Sequence, residues 1–276
     1  MSPVADRALV WGISLYLHLA RNRFLSLLAY RANFWTGVVI YLVYFGSYYY
    51  LWKAVFEAGG ESLGKLTFPQ MAAYLGAGWM GRAFWFNNLD REIAREVREG
   101  SLALQLIRPY NYLGARVVEA LGEGFFRFVF YALPGLFLAA LLASFPLPAS
   151  PWQWGAFLAA LLIGFLVNSL LNCLFGLLSF FFLRNEGFLW AKRVAVDVLS
   201  GVFLPLDLYP GFLRPLLASL PFSLISYFPN RAFAGLLSPS EFLRETVLGL
   251  SWMAILTLGL ALLWDRARRR LVVQGG

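Results

Sequence analysis

The sequence predicts an all-α, polytopic membrane fold, and three observations predict it. Apolar stretches recur from Phe34 to Trp264, each near the roughly 20 residues that carry a helix across a bilayer core. Only 14% of the 276 residues are charged and 60% are hydrophobic, whereas a soluble domain carries nearer a quarter charged. Finally, the arginines cluster in alternate connecting segments.

The formal charge of +8 does not point to nucleic acid. A nucleic-acid site gathers basic residues into one stripe with stacking aromatics. Here they sit at the ends of apolar stretches, where anionic headgroups are the nearer partner. Membrane lipids are therefore the expected contact, and no nucleic acid is. Cys173 is the single cysteine and His18 the single histidine. An intrachain disulfide and a zinc-type Cys/His cluster are thereby excluded.

Taken in order, residues 6–31 read as an amphipathic helix. Arg7, Ser14, His18 and Arg21 share one helical face; Leu9, Ile13, Leu17, Ala20, Phe24 and Leu28 share another. Such a helix lies in the headgroup region, the alternative being a solvent-facing helix packed on other protein. Arg7 and the apolar run to Leu17 resemble a signal peptide, but no clean small-x-small cleavage site follows. The segment is expected to be retained.

Six spans follow, at 34–53, 69–89, 122–144, 153–182, 188–206 and 245–264. The fourth exceeds what a bilayer needs and must tilt or protrude. Lys192, Arg193 and Asp197 interrupt the fifth. With the N-terminus inside, the inner segments hold four groups of basic residues: Arg7, Arg21, Arg23 and Arg31; Arg91, Arg95, Arg98, Arg108 and Arg116; Arg184, Lys192 and Arg193; and Arg266 to Arg270. The outer segments hold only Lys53, Lys65, Arg214, Arg231 and Arg244. The positive-inside rule then places both termini in the cytoplasm of a multi-pass protein in the cell membrane, with an even number of spans.

The whole chain, 1–276, reads as a single transmembrane domain with no hidden soluble one. Its longest inner loop includes the charged 90–109 segment. Its longest outer segment, 207–244, is chopped by prolines yet rich in leucine. Broken backbone at membrane depth must pack on protein or line a cavity, so one or two short re-entrant helices are expected there.

Several constellations bear on function. Residues 59–66, Gly-Gly-Glu-Ser-Leu-Gly-Lys-Leu, nearly spell a phosphate-binding loop, but Leu66 stands where the magnesium-binding hydroxyl belongs. A flexible outer loop is the better reading. The run Asp90, Arg91, Glu92, Arg95, Glu96, Arg98, Glu99, Gly100 is the densest in charge. Asp90 is placed as N-cap, Gly100 as C-cap, and Glu92–Arg95 and Arg95–Glu99 as surface pairs. It is either a solvated juxtamembrane helix or a rigid helix that receives force from a cytoplasmic partner.

In the fourth span, Ala156, Ala160, Gly164, Asn168, Asn172 and Gly176 recur every four residues, and Ala73, Ala77 and Gly81 do so in the second. Small residues let helices approach, and amides bond across them; Asn168 and Asn172 are also candidates to face a substrate path. Arg82, Arg127 and Asp197 are the charges expected within the membrane, where charges face protein or water-filled cavities. Glu123 is spaced to pair with Arg127, while Arg82 has no sequence-local partner.

Enzymatic chemistry finds little support. No D-x-x-D or D-D pair lies near a span, and one histidine permits no H-E-x-x-H. No catalytic or metal-ligating residue is therefore assigned.

The order of these features resembles the membrane permease subunit of ABC-2 type ATP-binding-cassette transporters, in the bacterial branch with a separate permease chain. Three sets of residues carry the resemblance. One is the 92–100 stretch leading to Leu106, Ile107, Arg108 and Pro109. The second is Ser200, Gly201, Val202, Phe203, Leu204, Pro205 and Leu206, with Tyr209 and Pro210 after it. The third is Leu220, Pro221 and Phe222, followed by Tyr227, Phe228 and Pro229. The likeness covers nearly the whole chain, and its specificity lies in order and placement.

The resemblance implies an exporter fold in which two permeases, identical or related, pair and each docks on an ABC ATPase subunit. It implies that ATP and Mg bind the partner and no cofactor binds this chain. Residues 90–100 would then form the coupling helix. The pathway would run near the second and fifth spans, with Arg82, Trp85, Asn168, Asn172 and Asp197 as candidates. A membrane enzyme of lipid metabolism is the rival reading, but it lacks the acidic clusters a metal would need. A scaffold is another rival. So is a secondary transporter, which more often shows paired discontinuous helices in two related halves. The sequence leaves the cargo open among lipids, drugs, antibiotics and glycans.

Overall fold

The computed structural model describes residues 3–29, 33–59, 62–63, 66–143, 146–182 and 186–269. Arg31, Lys65, Arg184, Arg270 and most of the loop resembling a phosphate-binding motif lie outside these residues. Among the described residues the regular secondary structure is helical except for one pair of two-residue strands, β1 (Ser62–Leu63) and β2 (Leu66–Thr67).

The helices are, in order, α1 (Pro3–Leu28), α2 (Asn33–Gly59), α3 (Phe68–Trp85), α4 (Leu89–Arg98), α5 (Leu102–Leu106), α6 (Tyr112–Arg127), α7 (Leu133–Ala143), α8 (Pro151–Leu177), α9 (Glu186–Leu199), α10 (Leu213–Ser219), α11 (Tyr227–Phe233) and α12 (Pro239–Arg268). A π-helical stretch, Phe128–Ala132, joins α6 to α7 into one rod. Pro134 follows it and has no N–H to give to the carbonyl four residues back. Among the described residues, three helices are long and apolar enough to cross a membrane: Tyr112–Leu141, Pro151–Phe180 and Pro239–Arg268.

Local sequence sets the starts of two of these helices. Ser150-Pro151 with Gln153, and Ser238-Pro239 with Glu241, form capping boxes at α8 and α12. The serine satisfies an orphan N–H, the Gln or Glu reaches back, and proline fits the first turn because its missing N–H is not needed there.

The core is built around α8 and α3. The small-residue stripe of α8 is buried along its whole length. A Cβ on Gly164 would meet the carbonyls of Leu224 and Ile225 at 2.8 Å, and one on Gly176 would meet Ile93 at 2.9 Å. The stripe thus brings α8 against the 220s on one side and α4 on the other. Ala73, Ala77 and Gly81 of α3 are likewise buried. Leu243, Val247, Leu250, Ile255, Leu258 and Leu262 form an exposed apolar face on α12, as lipid contact requires.

Several expectations are corrected. The second long element ends at Trp85, before residue 89, and a non-helical break separates it from α4. The fifth stops at Leu199, because Gly201 at φ 78° turns the chain and Tyr74 holds the Gly201 carbonyl at 2.6 Å. The 207–244 segment, where one or two short helices are expected, carries two, α10 and α11, and α11 is buried throughout. On α1 the apolar face is divided: Ala20 and Phe24 turn towards α6, while Leu17 and Leu25 stay exposed.

Candidate functional site

The end of α3 determines the site. A helix end leaves carbonyls without intrahelical partners, and a buried break must find them elsewhere. Here the partners come from two other helices, α8 and α6. Asn168 Nδ2 donates to Trp85 O at 2.8 Å, Asn172 Nδ2 donates to Asn87 O at 3.2 Å, and the Arg127 guanidinium donates to Phe86 O. Asn87 completes the joint, donating to Ser169 Oγ at 3.0 Å and accepting from Asn172 Nδ2 at 2.7 Å. Asn168 and Asn172 are therefore buried parts of the joint between α3, α4 and α8, and Trp85 is the last residue of α3 before it.

α4 begins at this joint. Asn88, not Asp90, occupies the N-cap position. Asp90 lies inside the first turn at 1% exposure, with Lys192 of α9 at 7%. Their Nζ–Oδ2 distance is 2.6 Å, and Lys192 also donates to the Asn172 amide oxygen. A buried charge is tolerated only when paired and hydrogen-bonded, and α9 supplies the cation. The next residue of α9, Arg193, donates to Asn88 Oδ1 at 2.9 Å and lies over the Phe86 ring. One turn later, Asp197 takes Arg82 at 2.5 Å. Arg82 thus has a partner 115 residues away, and its guanidinium also lies near the Trp85 and Phe86 rings.

The acids of α4 face the bundle. Glu96 is buried between the Tyr112 hydroxyl and the Arg116 guanidinium. Glu92 takes Arg23 of α1 at 3.4 Å, and Arg23 reaches Glu123 at 2.6 Å. Glu123 in turn pairs with Arg127 at 3.3 Å, at the expected spacing. Glu119 pairs with Arg116 at 2.7 Å. Burial raises the Glu92 carboxyl above its ordinary range; Arg23 opposes that shift and Glu123 adds to it. The expected Glu92–Arg95 pair is replaced, because Glu92 shares the inward face with Leu89, Ile93 and Val97 and takes Arg23 of α1; among the described residues Arg95 and Glu99 form no ion pair, and both are exposed.

The outward face of α4 is basic. Arg91, Arg95, Arg98 and Glu99 are exposed. Among the described residues Arg91 and Arg95 make no ion pair, while Arg98 reaches Glu186 at 3.3 Å. Gly100 ends the helix with φ 71°, the left-handed conformation a glycine accepts at a helix terminus. Beyond it, Leu104 at 66% and Ile107 at 80% exposure add two apolar side chains to the same loop.

The acceptors Asn87 and Asn88, and the cations Arg23, Arg116, Lys192 and Arg193, did not emerge as site residues from the sequence. Their signal was the amide pair between Phe86 and Leu89, and the charged interruption of the fifth apolar stretch. Among the described residues no group of three or more His, Cys, Asp or Glu side chains is placed to hold a metal.

A family model described as ABC-2 family transporter protein matches residues 42–275. That region includes α3, α4, α8 and α9 with the whole joint between them. A comparison with curated proteins gives no match.

Proposed function

The chain belongs to the ABC-2 transporter family of membrane permeases, and on that premise we propose that it is the permease subunit of an ATP-driven exporter. In this reading it crosses the cell membrane six times with both termini in the cytoplasm, α1 lies at the inner headgroup boundary, and the 207–244 segment re-enters from outside. It pairs with a second permease, identical or related, and each docks on an ABC ATPase that binds ATP and Mg. α4 is the coupling helix.

The observation that carries this reading is the way α4 is held. Lys192–Asp90, Arg193–Asn88 and Arg82–Asp197 tie α9 to the α3–α4 joint. Asn168, Ser169 and Asn172 tie the same joint to α8. Transport requires an element that both ATP and cargo bias. A rigid α4 with buried polar attachments to α8 and α9 meets that need, because tilting it must move them. The basic outward face then meets the ATPase, and the inward acids hold α4 to its own chain.

Charge reversal on the outward face tests the docking. Arg91→Glu with Arg95→Glu is expected to weaken association with the co-expressed ATPase roughly tenfold at low salt, the effect shrinking as ionic strength rises. Pull-down and cargo-stimulated ATP hydrolysis read it out. Unchanged assembly together with unchanged stimulation would overturn the assignment of α4.

A further inference from the structure

α1 crosses α6 at nearly backbone contact: a Cβ on Gly122 would stand 2.2 Å from the Ala20 carbonyl oxygen. Two residues on, a Cβ on Gly124 would stand 2.4 Å from the Phe84 carbonyl oxygen of α3. Beside this crossing runs an open trough of about 350 Å³ lined by Phe24, Phe84, Leu121 and Phe125, with Arg21 at its rim. That volume is within the range of sites that take small organic ligands, roughly 300–1,000 Å³.

The surrounding charges leave Arg21 uncompensated. Glu123 is occupied by Arg23 and Arg127, Glu92 by Arg23, and Glu119 by Arg116. Among the described residues Arg21 makes no ion pair, and it is exposed. His18, one turn earlier on α1, is also exposed and adds no acid. The trough therefore offers an apolar floor and one unpaired cation. An apolar peptide or a neutral acyl chain would fill the floor and leave the cation without a partner.

We propose that this trough holds one anionic glycerophospholipid of the cytoplasmic leaflet, an acyl chain lying against Phe24, Leu121 and Phe125 and the phosphate at Arg21. The proposal rests on the membrane placement of the chain and is independent of its coupling to an ATPase. Arginine at the headgroup level with its apolar stem along the chain suits this position, and the cytoplasmic leaflet is where anionic lipid concentrates. The bound lipid would fasten α1 to α6 and so steady Arg23, which holds Glu92 of α4.

The test reconstitutes the full chain in bilayers of equal phosphatidylglycerol and phosphatidylcholine, extracts it in mild detergent, and counts retained lipid by native mass spectrometry. The expected result is one phosphatidylglycerol per protomer in preference to phosphatidylcholine. With about one factor of five per basic charge near a membrane surface, Arg21→Ala lowers the affinity roughly fivefold and Arg21→Glu roughly thirtyfold. Leu121→Trp, which fills the trough, displaces the lipid whatever its headgroup. Arg21 is at the surface, so its variants keep the fold and carry the test if the tryptophan does not. Equal retention of both lipids by the unaltered chain, or unchanged phosphatidylglycerol retention in Arg21→Glu, overturns the proposal.

Discussion

Removing Lys192 probes the joint most directly. In Lys192→Met the carboxylate of Asp90 keeps its place at 1% exposure but loses its cation at 2.6 Å. Among the described residues, the bond it retains is from the Arg91 N–H at 2.9 Å. At an effective dielectric near 20, two unit charges at this separation attract by about 6 kcal/mol. Desolvation offsets much of that in the intact pair, yet the unpaired carboxylate must still be kept dry. Breaking a buried pair from one side costs about 3–5 kcal/mol, whereas removing both charges is often neutral or better. For a chain of this size the single substitution should lower the melting temperature by roughly 6–20 °C. The double substitution Lys192→Met with Asp90→Asn should recover most of the loss. The assay is thermal and denaturant unfolding in mild detergent, analysed as a double-mutant cycle. A single variant that melts within a degree or two of the parent, or a double variant no better than the single, would show that the pair is not a dry contact and that α9 is not fixed to α4 through it.

Two further outcomes follow from the geometry. Gly122→Leu drives a side chain into the Ala20 backbone, so α1 should detach from α6 at a cost of about 1–3 kcal/mol, seen as faster hydrogen exchange in α1 with α8 unchanged. Burial raises the Glu92 carboxyl, so its contribution is fully present below the unfolded value, about 4.3, and is lost as pH rises through the folded one. Glu92→Gln should flatten that part of the stability profile in a pH series of melting curves, and an unaltered profile would refute the burial-driven shift.

The membrane class and the order of its helices were legible because a bilayer leaves few options: apolar length, small-residue spacing and basic flanks are each written locally. Gly100 was legible for the same reason, since a helix end is a local event. The direction of the charged run was not. Asp90, Glu92 and Glu96 look like solvated acids until Leu89, Ile93 and Val97 are seen to share their side of α4. That stripe is present in the sequence, but arginines intervene at every turn and the opposite face reads equally well as the interior. The partners of Arg82 and Asp90 were hidden for another reason. They lie 115 and 102 residues away, and no local spacing reports a contact that only the packing of α9 creates. The sequence left Asn168 and Asn172 between helix packing and a substrate path; what they bond is the carbonyl edge of a broken helix, which hydropathy smooths into a continuous span.

The π-helical stretch Phe128–Ala132 works as a phase shifter within one rod. A single inserted residue rotates everything after it by about 100° relative to an uninterrupted α-helix. Before the shift, Arg116, Glu119, Glu123 and Arg127 keep one polar line turned to α1, α3 and α4. After it, Tyr131 and Gly135 meet Gly37 and Tyr41 of α2. The two halves thus answer to different neighbours, and twist applied to the polar half can be taken up at five residues of loosened pitch before it reaches the apolar half.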